Sequence, residues 1–414
     1  RVLKLVIKKK KLLLFLFSLI PIFYQFFNLE AFQTNFVSYL PLILLVLVGL
    51  PLTDLKKLVR GNWMIILPVF INFILIPLIS FNLGNFDLST EVLNICLQIL
   101  LLLVILIIVS VVKDTDTLLS LLKITLISNS IILTIAIVSN FNEVTNINNY
   151  MWIVYERLDR AVYGFGHSNT AASFIFIELI LLILVYLLYK KKILLLPILF
   201  FIPPLVATGS RTAIIGLMIF ITVYIIFRFI GKFNVNIKLL LLAFVSILLF
   251  LSILNFNWDF LWESSSGRDV RFIYNINYLL ENNLFWFGIG PINNTSISSL
   301  VPQIYTIDNW YLNNTILYGI FGTISFLVTA VWIVYKYLKH TFYVRNTQIV
   351  VWGLSFLISF LIYSFFETFL YTPGVLASII FWIFILAIIK NKDEINDMNI
   401  LNKKKKGKRY RLTW

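Results

Sequence analysis

The stretch KKKKLLLFLFSLIPIFYQFFN, residues 8–28, sets four lysines directly against an apolar run. The run is long enough to cross a hydrocarbon layer of ~30 Å as a helix. A basic cluster before an apolar run is also how a secretory leader begins. No small-residue cleavage site follows, however, and another apolar run soon begins, so the stretch reads as a retained first membrane helix. The rest of the chain repeats the pattern. Of its 414 residues 60% are hydrophobic and 13% charged, which points to an all-α polytopic membrane protein. The spacing of apolar runs predicts twelve spans: 12–28, 37–53, 63–81, 92–112, 118–139, 169–189, 193–208, 212–230, 237–256, 312–335, 347–366 and 373–389. The one cysteine, Cys96, lies within such a run. It forms no disulfide within the chain and builds no cysteine metal cluster.

The lysines orient the spans. Twenty-nine of the 34 lysines and arginines fall on one set of alternate connections, which the positive-inside rule makes cytoplasmic, with both termini on that side. The tail KKKKGKRYR, residues 403–411, is expected to lie on anionic lipid rather than on nucleic acid. Five cations remain for the outer side, Arg157, Arg160, Arg211, Arg268 and Arg271, facing twelve acidic residues. All five are arginine, whose planar fork grips phosphate or carboxylate at two points and stays charged at any biological pH.

Two outer connections are long, and long ordered loops tend to carry function. The chain therefore divides into a five-helix part (1–139), a first large loop (140–168), helices six to nine (169–256), a second large loop (257–311), helices ten to twelve (312–389) and a basic tail (390–414). In the second loop, Val270, Phe272, Ile273, Ile276, Leu279 and Leu280 recur at helical spacing. They predict a short amphipathic helix on the outer leaflet, ending near Asn282–Asn283. Gly288 and Gly290 of FGIGP lack the strand–helix context of a nucleotide loop and read as turn residues. HExxH, paired Cys/His spacing, the P-loop and GxSxG are absent from the sequence, which removes most weight from metal hydrolysis, ATP-driven transport and serine-hydrolase chemistry. Nor does the sequence show an internal repeat or a pair of broken helices related by symmetry, the usual pointer to a secondary transporter.

RAVYGFGHSNTAA (160–172), ATGSRTAIIG (207–216), SSGRDVR (265–271), FGIGP (287–291) and DNWYLNNTILYGIFG (308–322) follow one another in this order. Together they resemble the Wzy-type O-antigen and capsule repeat-unit polymerases, which share a superfamily with the O-antigen ligases. The resemblance implies a GT-C-like glycosyltransferase of the bacterial cytoplasmic membrane, with its active site on the extracytoplasmic face. Such an enzyme moves glycan from undecaprenyl diphosphate to a lipid-linked acceptor with inversion, needs no metal or cofactor, and can work with a chain-length regulator. The sequence departs from the family in reading His167-Ser168-Asn169 where members often have His-Pro-Asn. It also carries Asp308 where ligases usually have histidine, which favours polymerase over ligase. Other readings are a ligase, a flippase for lipid-linked oligosaccharide, and a solute carrier.

Within that resemblance Arg160, Arg211, Arg268 and Arg271 are candidates to hold the donor diphosphate, because fixed cations stabilise a leaving group that gains charge. Each has a plainer account. Arg160 has Glu156 and Asp159 nearby for an ion pair, and Arg211 begins a span where side chains snorkel. Arg268 and Arg271 share a helix face and have Asp269 between them. Gly209-Ser210 opens the backbone ahead of Arg211. His167 is a candidate general base or sugar hydrogen-bonder, or a polar residue at a helix start where Ser168 or Asn169 is the cap. Asp308 would orient or deprotonate the acceptor hydroxyl, or else cap the helix that follows. Arg157, Gly164, Asn169, Ser210, Asn309, Tyr311 and Glu367 are supporting candidates, and Glu178 sits mid-span, where a carboxylate is costly without a partner.

Overall fold

The computed structural model describes residues 2–30, 37–54, 59, 62–81, 88–153, 159–230, 268–290, 309–341 and 348–391. The span expected at 237–256, Arg157, Asp308 and the tail beyond 391 lie outside them. The described residues are almost wholly helical, without a strand beyond one isolated bridge. In chain order the main helices are α1 (Val2–Asn28), α2 (Leu40–Gly49), α3 (Trp63–Phe70), α4 (Ile76–Phe81), α5 (Leu88–Val111), α6 (Thr115–Ser139) and the short α7 (Phe141–Thr145). Then follow α8 (Ser168–Tyr189), α9 (Leu195–Ala207), α10 (Arg211–Ile230), α11 (Arg268–Glu281), α12 (Trp310–Lys339), α13 (Gln348–Tyr363) and α14 (Leu376–Lys390). Six helical stretches, in α1, α5, α6, α8, α10 and α12, are long and apolar enough to cross a membrane, and shorter apolar helices accompany them.

Burial sorts these helices. α14 is buried on nearly every side and α8 over most of its length, as expected of apolar helices at the centre of a bundle. Peripheral helices leave large apolar side chains outside: Leu47 is 65% exposed, Leu78 64%, Met218 62% and Val331 67%. A surface this apolar suits hydrocarbon rather than water.

The two ends of the bundle differ. At one, Lys10 on α1 donates to Thr117 and lies 3.9 Å from Asp114, whose carboxylate caps α6. Asn391, after α14, donates to the Val112 carbonyl there at 2.6 Å. At the other end Leu29 pairs with Phe165, and the Glu30 amide donates to the Gly164 carbonyl at 2.8 Å. Lys10 thus lies at one end of the bundle and the segment that begins with Arg160 at the other.

Two helical runs are interrupted, which the sequence reading did not anticipate. α12 breaks at Gly319, which adopts φ 70° and ψ 178°. The freed backbone groups are taken up by the FGIG stretch: Ile289 and Gly290 donate to the Ile316 and Leu317 carbonyls at 2.8 Å, and Ile320 donates to the Phe285 carbonyl at 2.9 Å. A Cβ on Gly319 would run into the Trp286 carbonyl, and one on Gly288 would lie 2.5 Å from the Leu317 carbonyl carbon. Gly288 and Gly290 are turn residues, as expected, with positive φ. Gly288 is also a point where two backbones touch. The second interruption is a π turn, Ile71–Leu75, between α3 and α4. It aims the Asn72 amide at the Gly322 carbonyl (2.9 Å) and Ser325 Oγ (2.8 Å). Asn314 donates to Asn72 Oδ1 at 3.0 Å and to Thr323 at 3.2 Å, so the two breaks share one buried polar network.

α11 forms over the stretch expected to be amphipathic, and Asn283 ends it in a left-handed turn. Leu279 packs with Leu312 and Ile316 of α12, with Ile276 beside them. Ile273 and Leu280, expected on that same face, point away from the protein and are about half exposed. Glu178 also finds partners. Asn129 donates to it at 2.7 Å, Ser130 donates to its other oxygen, and Gln25 donates to Asn129. α1, α6 and α8 are thereby joined through side chains that have no water to turn to.

Two outcomes follow. Gly319→Ala forces a strained φ and an overlap, and should lower stability in detergent by about 2 kcal/mol or more in thermal unfolding. Glu178→Gln should be tolerated, because the Ser130 hydroxyl can accept as well as donate. Glu178→Leu strands Asn129 and Ser130, and the same assay should show a loss of about 1–3 kcal/mol.

Candidate functional site

The arginine-bearing end is built where the start of α8, the end of α9, the start of α10 and the turn after α13 converge. The chain approaches through residues 160–167. Ala161 donates to the Ala207 carbonyl at 3.0 Å, which lays this segment along the end of α9. The Glu143 carboxylate then accepts the Val162 and Tyr163 amides at 2.6 and 2.9 Å. Tyr163 and Gly164 follow one another in the left-handed region, at φ 51° and 74°. Gly164 is therefore the turn residue that the sequence suggested. The Tyr163 hydroxyl donates to the Pro204 carbonyl at 3.0 Å. Burial first, then nearby Tyr150 and Glu143, raises this phenol's pKa above its ordinary value, so it remains a donor.

This frame fixes Arg160. Its Nε donates to the Thr208 carbonyl at 2.9 Å and its Nη2 to Asn169 Oδ1 at 2.5 Å. The half-buried guanidinium thus bridges the end of α9 and the first turn of α8. Thr208 is followed at once by Gly209, at φ 60°, and by buried Ser210, whose hydroxyl lies 3.1 Å from that of Thr212. Arg211 opens α10 with an exposed side chain. Thr212 donates to Glu367 Oε1 at 3.2 Å, and Glu367 is itself only 3% exposed. Arg160, Asn169, Ser210, Arg211 and Glu367 are thus brought to one junction. The helices α8 and α10 both begin here, and their positive dipole ends add to the two guanidiniums. The arrangement suits an anion.

His167 takes a different place from the one expected. Its backbone is extended and its Nδ1 accepts the Asn169 amide at 3.1 Å, so the N-cap of α8 is His167, not Ser168 or Asn169. The Asn169 side chain is spent on Arg160 instead. With Nδ1 accepting, a neutral imidazole carries its proton on Nε2.

Asn309 and Tyr311 are committed to the fold. Asn309 caps α12 by accepting the Leu312 amide at 3.0 Å, so the cap falls on it and not on Asp308. The Tyr311 hydroxyl donates to the Leu361 carbonyl at 2.9 Å, and its ring lies 4.3 Å from that of Phe365. Arg268 and Arg271 belong to α11, but their side chains are not among the described ones. Glu143, Thr208 and Thr212 are site-building residues that sequence reasoning missed. Two act through carboxylate or hydroxyl contacts across long separations, and Thr208 through its carbonyl, so their spacing carried no signal.

The cap gives a test that separates support from chemistry. His167→Ala should cost about 0.5–2 kcal/mol of stability, and His167→Asn, itself a good cap, should restore most of it in thermal unfolding. No protein-family model matches the chain, and no match appears among curated proteins.

Proposed function

We propose that the chain is a membrane glycosyltransferase that polymerises oligosaccharide repeat units, acting on an undecaprenyl-diphosphate-linked donor and a lipid-linked acceptor. In this reading twelve spans in a GT-C-like arrangement lie in the bacterial cytoplasmic membrane, with both termini inside and the arginine-bearing end outside. One observation carries it: Arg160 is clamped between the Thr208 carbonyl and Asn169 three residues ahead of exposed Arg211, where α8 and α10 begin. A preorganised cationic pocket is what a departing diphosphate requires.

The acceptor hydroxyl oxygen bonds to the anomeric carbon of the donor while the bond from that carbon to the diphosphate oxygen breaks. The diphosphate leaves with the electron pair, and Arg160 and Arg211 balance the charge that develops. The acceptor proton passes to a carboxylate, for which Asp308 is the candidate, while His167 donates to a sugar or phosphate oxygen. The bilayer and a chain-length regulator complete the partners. A solute or glycolipid carrier is the second reading, favoured by the two interrupted helices packed on each other.

Purified protein in nanodiscs, given lipid-diphosphate repeat units without added metal, should form a ladder of products. Arg211→Ala leaves the described packing intact and should lower the rate about 100-fold or more, as should Arg160→Lys, which cannot hold both partners. A wild type that makes no ladder but moves the lipid-linked sugar across proteoliposomes would replace this reading by the carrier.

A further inference from the structure

Glu143 sits in the short helix α7, directly after α6, and is half-buried. It takes no part in the transfer chemistry, yet its backbone is tied down before and after it. Asn140, which joins α6 to α7, donates its side-chain amide to the Ala136 carbonyl at 2.8 Å, and the Glu143 amide donates to the Asn140 carbonyl at 2.9 Å. The buried Asn149 side chain donates to the Glu143 carbonyl at 2.7 Å, and the Tyr150 hydroxyl donates to the Val144 carbonyl at 2.7 Å. The carboxylate is therefore presented from a platform fixed to the end of α6.

A single oxygen of that carboxylate, Oε2, accepts two successive amides, those of Val162 and Tyr163. They belong to a turn that is costly to hold. Tyr163 is not glycine, and its φ of 51° is a left-handed conformation that side chains disfavour. Arg160 lies two residues ahead of the first held amide. From there its guanidinium must reach the Thr208 carbonyl and Asn169 Oδ1 together. A rigid fork with two fixed partners tolerates little error in where its backbone starts. The Ala161 amide on the Ala207 carbonyl fixes one point of that backbone, and the Glu143 oxygen fixes the two that follow.

We propose that Glu143 is a positioning residue for the cationic junction: its carboxylate holds the turn from which Arg160 projects, and so raises the affinity of the junction for a diphosphate. It acts through Arg160 and not by touching the anion. Simple electrostatics predicts the reverse sign, since a carboxylate near an anion site repels the anion and its removal should tighten binding. That a diphosphate is the ligand rests on the polymerase reading. The coupling of Glu143 to Arg160 does not.

The test measures binding of inorganic pyrophosphate to the full chain in phosphatidylcholine nanodiscs by isothermal titration calorimetry. Glu143→Ala should weaken binding about tenfold. Glu143→Gln should bind at least as tightly as wild type, because one carboxamide oxygen can accept both amides. Glu143→Asp keeps the charge but loses the reach. It should weaken binding as Glu143→Ala does, and it carries the test if Glu143→Ala does not fold. In an Arg160→Lys background Glu143→Ala should have no further effect, because the two residues act as a unit. Tighter binding by Glu143→Ala overturns the proposal, as does the same tenfold loss in the Arg160→Lys background. Glu143→Gln as weak as Glu143→Ala, or a wild type that binds no pyrophosphate, overturns it too. If binding follows Glu143 as expected while no product ladder forms, the polymerase reading falls and this one stands. A ladder from a protein whose pyrophosphate affinity ignores Glu143 gives the opposite result.

Discussion

A helix bundle in hydrocarbon has no solvent to finish its hydrogen bonds, so every interrupted turn and every polar side chain inside it must be answered by protein. That constraint organises this molecule. The break at Gly319 frees two carbonyls and an amide, and the 285–290 segment supplies their partners. The π turn at 71–75 is answered by Asn72 reaching Gly322 and Ser325. Glu178 is answered by Asn129 and Ser130. Between helices whose apolar surfaces gain little by leaving lipid for one another, such networks and close packing decide who neighbours whom.

The same constraint explains the close backbone contacts. Gly288 and Gly319 let the 285–290 segment lie directly on α12, since any side chain at either would meet a carbonyl group. That contact holds the N-terminal piece of α12 at its own angle and leaves a cavity beside the break. The turn after α13 then connects this cavity to the arginine junction through a single short segment, 364–375, tied to α12 by the Trp310 amide on the Ser364 carbonyl at 2.9 Å.

Much of the plan was legible before any coordinates. Lysine clusters against apolar runs are a local signal, and the helices α5, α6, α8 to α10 and α12 to α14 begin and end within a few residues of the apolar stretches. Charge placement also put Lys10 and Arg160 on opposite sides, and the two lie at opposite ends of the bundle. The roles of individual polar residues were less legible. Asn169 is a competent cap by type, but its side chain is taken by Arg160, which also reaches the Thr208 carbonyl 48 residues away, and His167 caps α8 instead.

The amino-acid sequence by itself pointed to an apolar environment and to the helical class. Each of these follows from composition and from the 1.5 Å rise of a helix across a layer of known thickness. Only the tertiary structure decided that α12 breaks at Gly319, that His167 caps α8 and that Glu178 has partners. Those outcomes depend on hydrogen bonds and van der Waals contacts between residues tens of positions apart. Such contacts act over a few ångströms and leave no periodicity in the chain.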